Sequence, residues 1–179
     1  MTGTIYESFA RVAASQPGRP ALMHRVEGRY RSICYSELAR AVDEVAAGLA
    51  RRGVRPGDSV GIYSYNRPEW VIADLAIIKL GGTVIPIYHT LPPDTVEYIL
   101  RDARVGHLIV ETPELFGSVT GLLERVPDLK NVITVFQRET VSRSGKELLT
   151  SRHCGPPAPT PCPRAIGWPR PTRPTPTMS

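Results

Sequence analysis

Apolar positions along this chain switch between two periods, every third or fourth residue and short unbroken runs. Ile5, Phe9 and Val12 share one side of a helix beginning at Thr4, which Gln16, Pro17 and Gly18 end. Two short strands follow at 21–26 and 30–33, with Glu27 and Gly28 as the turn. Leu38, Val42, Val45 and Leu49 recur at helical spacing, predicting a helix over 36–52 with Gly53 at its left-handed C-terminal cap. Cys34 stands three residues before Glu37, where a capping box prefers Ser or Thr, so a weak cap is expected there. The run 60–64 reads as a buried strand, and 69–80 as a helix apolar on most sides, with Pro68 suited to its first turn and Glu69 to its positive end. Strands at 83–88, 107–111 and 131–136 then alternate with helices at 92–103 and 113–126. Near-continuous Val and Ile strands separated by helices predict βαβ crossovers and an α/β fold: a largely parallel sheet with flanking helices.

The pattern fails after about Lys146, and half of the 18 prolines fall from Pro156 onward. Proline supplies no backbone donor and this stretch has few large apolar side chains, so a disordered tail is expected. The chain accordingly divides into an ordered body, 1–150, and a Pro/Arg/Thr-rich tail, 151–179. The division changes the meaning of the +5 net charge, because the tail holds Arg152, Arg164, Arg170 and Arg173 and no acidic residue. Removing those 4 from the 22 basic residues leaves 18 against 17 acidic ones, so the body is near neutral and nucleic acid is not an expected partner. Cys34, Cys154 and Cys162 have no paired spacing, which fits a reducing, cytoplasmic setting and supports no metal site. The most apolar segment, WVIADLAIIKLGG, is broken by Asp74 and Lys79, so no transmembrane segment is expected; peripheral membrane contact remains open.

Candidate chemistry is sparse. The link after the strand at 60–64 is YNRPEW, without the glycines that let backbone amides approach phosphate. Gly81 and Gly82 follow a helix and precede a strand, the position of a helix cap. Gly145 and Lys146 lack the remaining elements of a Walker sequence, and no GxSxG occurs. His24, His107 and His153 read as ordinary strand or loop residues, and Trp70 as packing a helix onto the sheet. His89 lies just beyond a strand end, where ligands of open α/β sheets gather.

The run YSYNRPEWVIADLAIIKLGGTVIPIYHTLPPDTVEYILRDARVGHLIVE, preceded by CYSELARAVDEVAAGLARRGVRPGDSVGI, resembles the N-terminal part of AMP-forming acyl-CoA synthetases, within them the long-chain fatty-acid branch. The resemblance rests on four ordered segments: NRPEW at a helix start, a Gly-Gly helix end, a VPIY-like strand and an EYILRDA-like helix. It implies activation of a fatty acid by ATP and magnesium through an acyl-adenylate, then transfer to coenzyme A. It also implies that Tyr88, His89 and Thr90 lie near the nucleotide end of coenzyme A. The family's Ser/Thr/Gly-rich phosphate loop does not occur in these 179 residues, so no catalytic residue, no metal ligand and no bound cofactor is assigned.

The expectation that joins body and tail is a truncated ligase relative, inactive alone, with its tail read out of frame. Its apolar sheet and helix surfaces would lack their covering, which predicts marginal stability and self-association. Two other readings are weighed. One is a non-enzymatic binding protein presenting the PxxP matches at Pro156–Pro159 and Pro171–Pro174. The other is a dinucleotide-dependent oxidoreductase, disfavoured by the missing glycine fingerprint.

Overall fold

The computed structural model describes residues 3–135 and, for the backbone alone, 140–142. The tail assigned to 151–179 lies outside the described residues, as do His153, Cys154, Cys162 and the end of the strand expected at 131–136.

Helix α1 (Ile5–Ser15) starts with a reciprocal cap: Thr4 Oγ1 accepts the Glu7 amide at 3.1 Å, and the Glu7 carboxylate accepts the Thr4 amide at 2.8 Å. An antiparallel hairpin follows, β1 (Pro20–Val26) with β2 (Arg29–Cys34), turning through Glu27 and Gly28. At the start of α2 (Tyr35–Arg51) the Glu37 carboxylate accepts the Cys34 amide at 2.9 Å, although Cys34 itself is a poor capping residue.

The main sheet contains β3 (Ser59–Ser64), β4 (Thr83–Tyr88), β5 (Val105–Val110), β6 (Asn131–Thr134) and β7 (Thr140–Ser142), in the order β4-β3-β5-β6-β7. The first four in that order run parallel, and β7 pairs antiparallel with β6. Between them lie α3 (Pro68–Lys79), α4 (Pro93–Asp102), α5 (Pro113–Val119) and α6 (Leu122–Arg125).

Strand alternation divides the core in two. Val60, Ile62 and Ile109 face α2 and α3, packing with Val42, Leu49, Ala76 and Ile77. Tyr63, Leu108 and Val110 face the other way, packing with Val96 and Leu100 of α4 and with Val119, Leu122 and Leu129. All of β5 is buried, as a central parallel strand must be when helices cover both faces. Gly61 marks the tightest point of the second layer, because a Cβ there would sit 2.8 Å from Leu108 Cδ1.

Two expectations are corrected. The helix expected over 113–126 is two helices, α5 and α6, because Thr120 and Gly121 between them are weak helix formers. The expected helix–strand alternation also omitted β7, which adds an antiparallel edge to the otherwise parallel sheet.

Candidate functional site

β3 and β5 are neighbours, yet the connection leaving β3 returns on one side of it and the connection leaving β5 returns on the other. Such a reversal opens a crevice beyond the carboxyl ends of the two strands, where open α/β sheets bind ligands. Three links meet at this edge: Tyr65-Asn66-Arg67 after β3, His89-Thr90-Leu91-Pro92 after β4, and Glu111-Thr112 after β5.

Glu111 organises the crevice. It is buried to 7% exposure, and its Oε2 accepts the Ser64 hydroxyl and the Tyr65 amide, each at 2.7 Å. Its Oε1 accepts Arg67 Nη1 at 2.5 Å. Burial is the largest single influence on this carboxyl and opposes ionisation. The Arg67 guanidinium, the Ser64 hydroxyl and the Tyr65 amide together outweigh it, so Glu111 titrates below its ordinary value. Arg67 also donates through Nε and Nη2 to Glu69 at 2.7 and 3.0 Å, so each of its three nitrogens meets a carboxylate. Its pKa is raised, by Glu69 first and by Glu111 against the opposing effect of burial. The network pins the link after β3 to the end of β5, one guanidinium bridging two carboxylates.

Fixing that link presents aromatic rings outward. Tyr65 stacks on His89 with ring centroids 3.8 Å apart and planes 27° from parallel. Beside them Tyr88 is 76% exposed, and Thr90 is exposed at the start of the same loop. The loop is tied back by the Leu91 amide to the Tyr88 carbonyl at 3.1 Å and by the Tyr63 hydroxyl to the Leu91 carbonyl at 3.4 Å. Tyr88, His89 and Thr90 are therefore together at the carboxyl edge of the sheet. Tyr65 and Glu111 were not among the candidates; their signal is position alone, one residue past a strand end in each case.

Other candidates resolve as structure. Trp70 is half-buried and packs against the α2 and α3 layer. Gly82 donates its amide to the Ile77 carbonyl at 3.0 Å, closing α3 as a cap. Among the described residues no group of three His, Cys, Asp or Glu side chains could hold a metal ion. Glu111 does not fit magnesium, since its oxygens already face a cation and two hydrogen-bond donors. On its far side the link after β3 borders a groove of about 930 Å³ between the hairpin, α2 and α3. Leu22, Ile33, Val71 and Ile72 line the groove, with Arg31 and Arg40.

Comparison with known proteins decides the family. The profile described as AMP-binding enzyme matches residues 9–167. The chain belongs to the AMP-binding enzyme family. Long-chain-fatty-acid–CoA ligase 6 of Mus musculus is 34% identical over 138 residues, covering 73% of this chain and 19% of the relative. The peroxisomal long chain acyl-CoA synthetase 7 of Arabidopsis thaliana is 29% identical over 138 residues, covering 74% and 20%. Among solved structures, acetoacetyl-CoA synthetase from Streptomyces lividans superposes with a TM-score of 0.66 at 28% identity, covering 73% of this chain and 22% of that one. This AMP-binding enzyme chain thus spans about a fifth of the length of the curated relatives it matches. Among its described residues no helix is long and apolar enough to cross a membrane.

Proposed function

We propose that this chain is the nucleotide-facing α/β portion of a long-chain fatty-acid–CoA ligase, with the Tyr65–His89 stack, Tyr88 and Thr90 turned toward the adenine end of coenzyme A. The single observation that carries the reading is the exposed aromatic ledge at the carboxyl edge of the sheet, in a chain whose relatives are named as fatty-acid–CoA ligases. Stacked rings offer a base a flat apolar surface, and each base–aromatic stack is worth roughly 1–3 kcal/mol.

The complete ligase would join a fatty carboxylate to the α-phosphorus of ATP with loss of pyrophosphate, then exchange AMP for the thiol of coenzyme A. The 179 residues do not perform these steps alone. The three links at the carboxyl edge contain no glycine to let backbone amides cradle phosphate. The charged groups beside them, Arg67, Glu69 and Glu111, are committed to one another rather than to a triphosphate or its magnesium. The proposed setting is the cytoplasm, supported by the unpaired cysteine spacing; one relative is a peroxisomal form.

Saturation-transfer NMR with coenzyme A tests the ledge. Irradiating the protein should saturate the adenine protons more than the pantetheine protons, and Tyr65→Ala and His89→Ala should each abolish the effect. Absence of adenine saturation with the unaltered chain would contradict the reading.

A further inference from the structure

We propose that His107 is an acid-sensitive latch at the amino-terminal edge of the sheet, held shut by Asn131. His107 lies near the start of β5 with 1% of its surface exposed, in register with Asn131 at the start of β6. This edge is opposite the aromatic ledge. The Asn131 side-chain nitrogen is 3.1 Å from the Arg52 carbonyl oxygen and 3.0 Å from His107 Nδ1.

Counting protons settles the roles. An amide nitrogen has two hydrogens and no acceptor capacity. The Arg52 carbonyl accepts one of them, which fixes the amide's orientation, since turning it would set Oδ1 against a carbonyl oxygen. The second hydrogen therefore points at Nδ1, and Nδ1 must accept it. A neutral imidazole that accepts at Nδ1 carries its own proton on Nε2. That Nε2 is buried without a hydrogen-bond partner, and Asp58 Oδ2 is 3.8 Å away, beyond bonding distance.

Adding a proton at Nδ1 would set an N–H against the Asn131 N–H. The imidazolium persists only if Asn131 turns and releases the Arg52 carbonyl, or if the ring leaves its place. Either movement breaks the side-chain link that Asn131 makes between the end of α2 and His107 of β5. The charged groups facing the ring do not reverse this: burial opposes protonation most, Asp58 favours it and Lys130 opposes it. Arg52 meets the latch through its carbonyl, its guanidinium donating to the Gly48 carbonyl at 3.1 Å. His107 consequently titrates below its ordinary value of 6.5. Because the fold prefers the neutral ring, the latch contributes fully above pH 6.5, and its contribution is lost as pH falls from there through the lowered value.

Long-range ¹H–¹⁵N correlation of the histidine rings tests the latch in the unaltered chain. The expected result is the Nε2–H tautomer at pH 7.5, a midpoint below 6.5, and Asn131 side-chain and Gly53 amide resonances moving with that same midpoint. The Nδ1–H tautomer, a midpoint at or above 6.5, or a His107 titration that leaves Asn131 unmoved would overturn it. Asn131→Asp provides the opposite displacement: a carboxylate accepts the Nδ1 proton, so the midpoint should rise above 6.5. A folded Asn131→Asp chain with an unchanged midpoint would also overturn the proposal, and if that variant fails to fold the titration of the unaltered chain decides.

Discussion

Replacing Glu111 with Gln probes the clamp that holds the ledge, at nearly constant shape. The carboxylate offers one oxygen to Arg67 and the other to Ser64 and Tyr65. A carboxamide has one acceptor oxygen and a nitrogen that only donates, so one side must face donor to donor. The cheaper arrangement keeps the oxygen toward Ser64 and Tyr65. It gives up the Arg67 pair and converts two charge-assisted hydrogen bonds to ordinary ones. Hydrogen bonds to charged groups contribute about 1.5–3 kcal/mol and neutral ones about 0.5–1.5, so the two conversions cost roughly 2–3 kcal/mol. The Arg67 side chain is 41% exposed. Solvent screening therefore holds the lost ion pair to about 1 kcal/mol. The expected loss is roughly 3–4 kcal/mol at pH 7, read from urea unfolding at low protein concentration. The sign of the pH effect follows from the lowered pKa. The stabilisation is complete above the ordinary value of 4.5 and disappears as pH falls through Glu111's lower one, so parent and variant should converge in acid. A loss below about 0.5 kcal/mol at pH 7, the range of an ordinary surface substitution, would refute the reasoning. So would a gap that persists unchanged in acid.

Gly61→Ala should destabilise by about 1–2 kcal/mol in the same unfolding measurement. Its Cβ would meet Leu108 Cδ1 at 2.8 Å and Val105 Cγ1 at 3.4 Å. The lower backbone entropy of alanine offsets only part of that strain; a stabilised variant would contradict the packing. The groove beside the hairpin, together with Met23 at 61% and Tyr30 at 74% exposure, leaves apolar surface uncovered. Sedimentation should show concentration-dependent self-association that Met23→Glu weakens, whereas a monomer at every concentration would contradict the prediction.

The main layers were legible because each has a strong periodic signal. The all-round apolar helix at 69–80 and the unbroken run in HLIV leave little choice except burial between helices and sheet. β7 was not legible: a three-residue polar edge strand has no period to detect, and its pairing comes from β6. The split at Gly121 turns on two weak helix formers inside an otherwise helical pattern. For the site, the position just beyond a strand end pointed to His89, and the family resemblance added Tyr88 and Thr90. Glu111 escaped because a carboxylate after an apolar strand looks solvated. Its partners Ser64, Tyr65 and Arg67 are 44 to 47 residues away, and only the folded sheet brings them together. His107 escaped similarly, since its state is set by Asn131, 24 residues on.

Pyrophosphate release from ATP in the presence of palmitate and magnesium tests most directly the claim that this chain carries a ligase's nucleotide-facing surface without its adenylation machinery. The account predicts release no faster than in the same mixture without protein. Release above that background that requires both palmitate and the chain would contradict it.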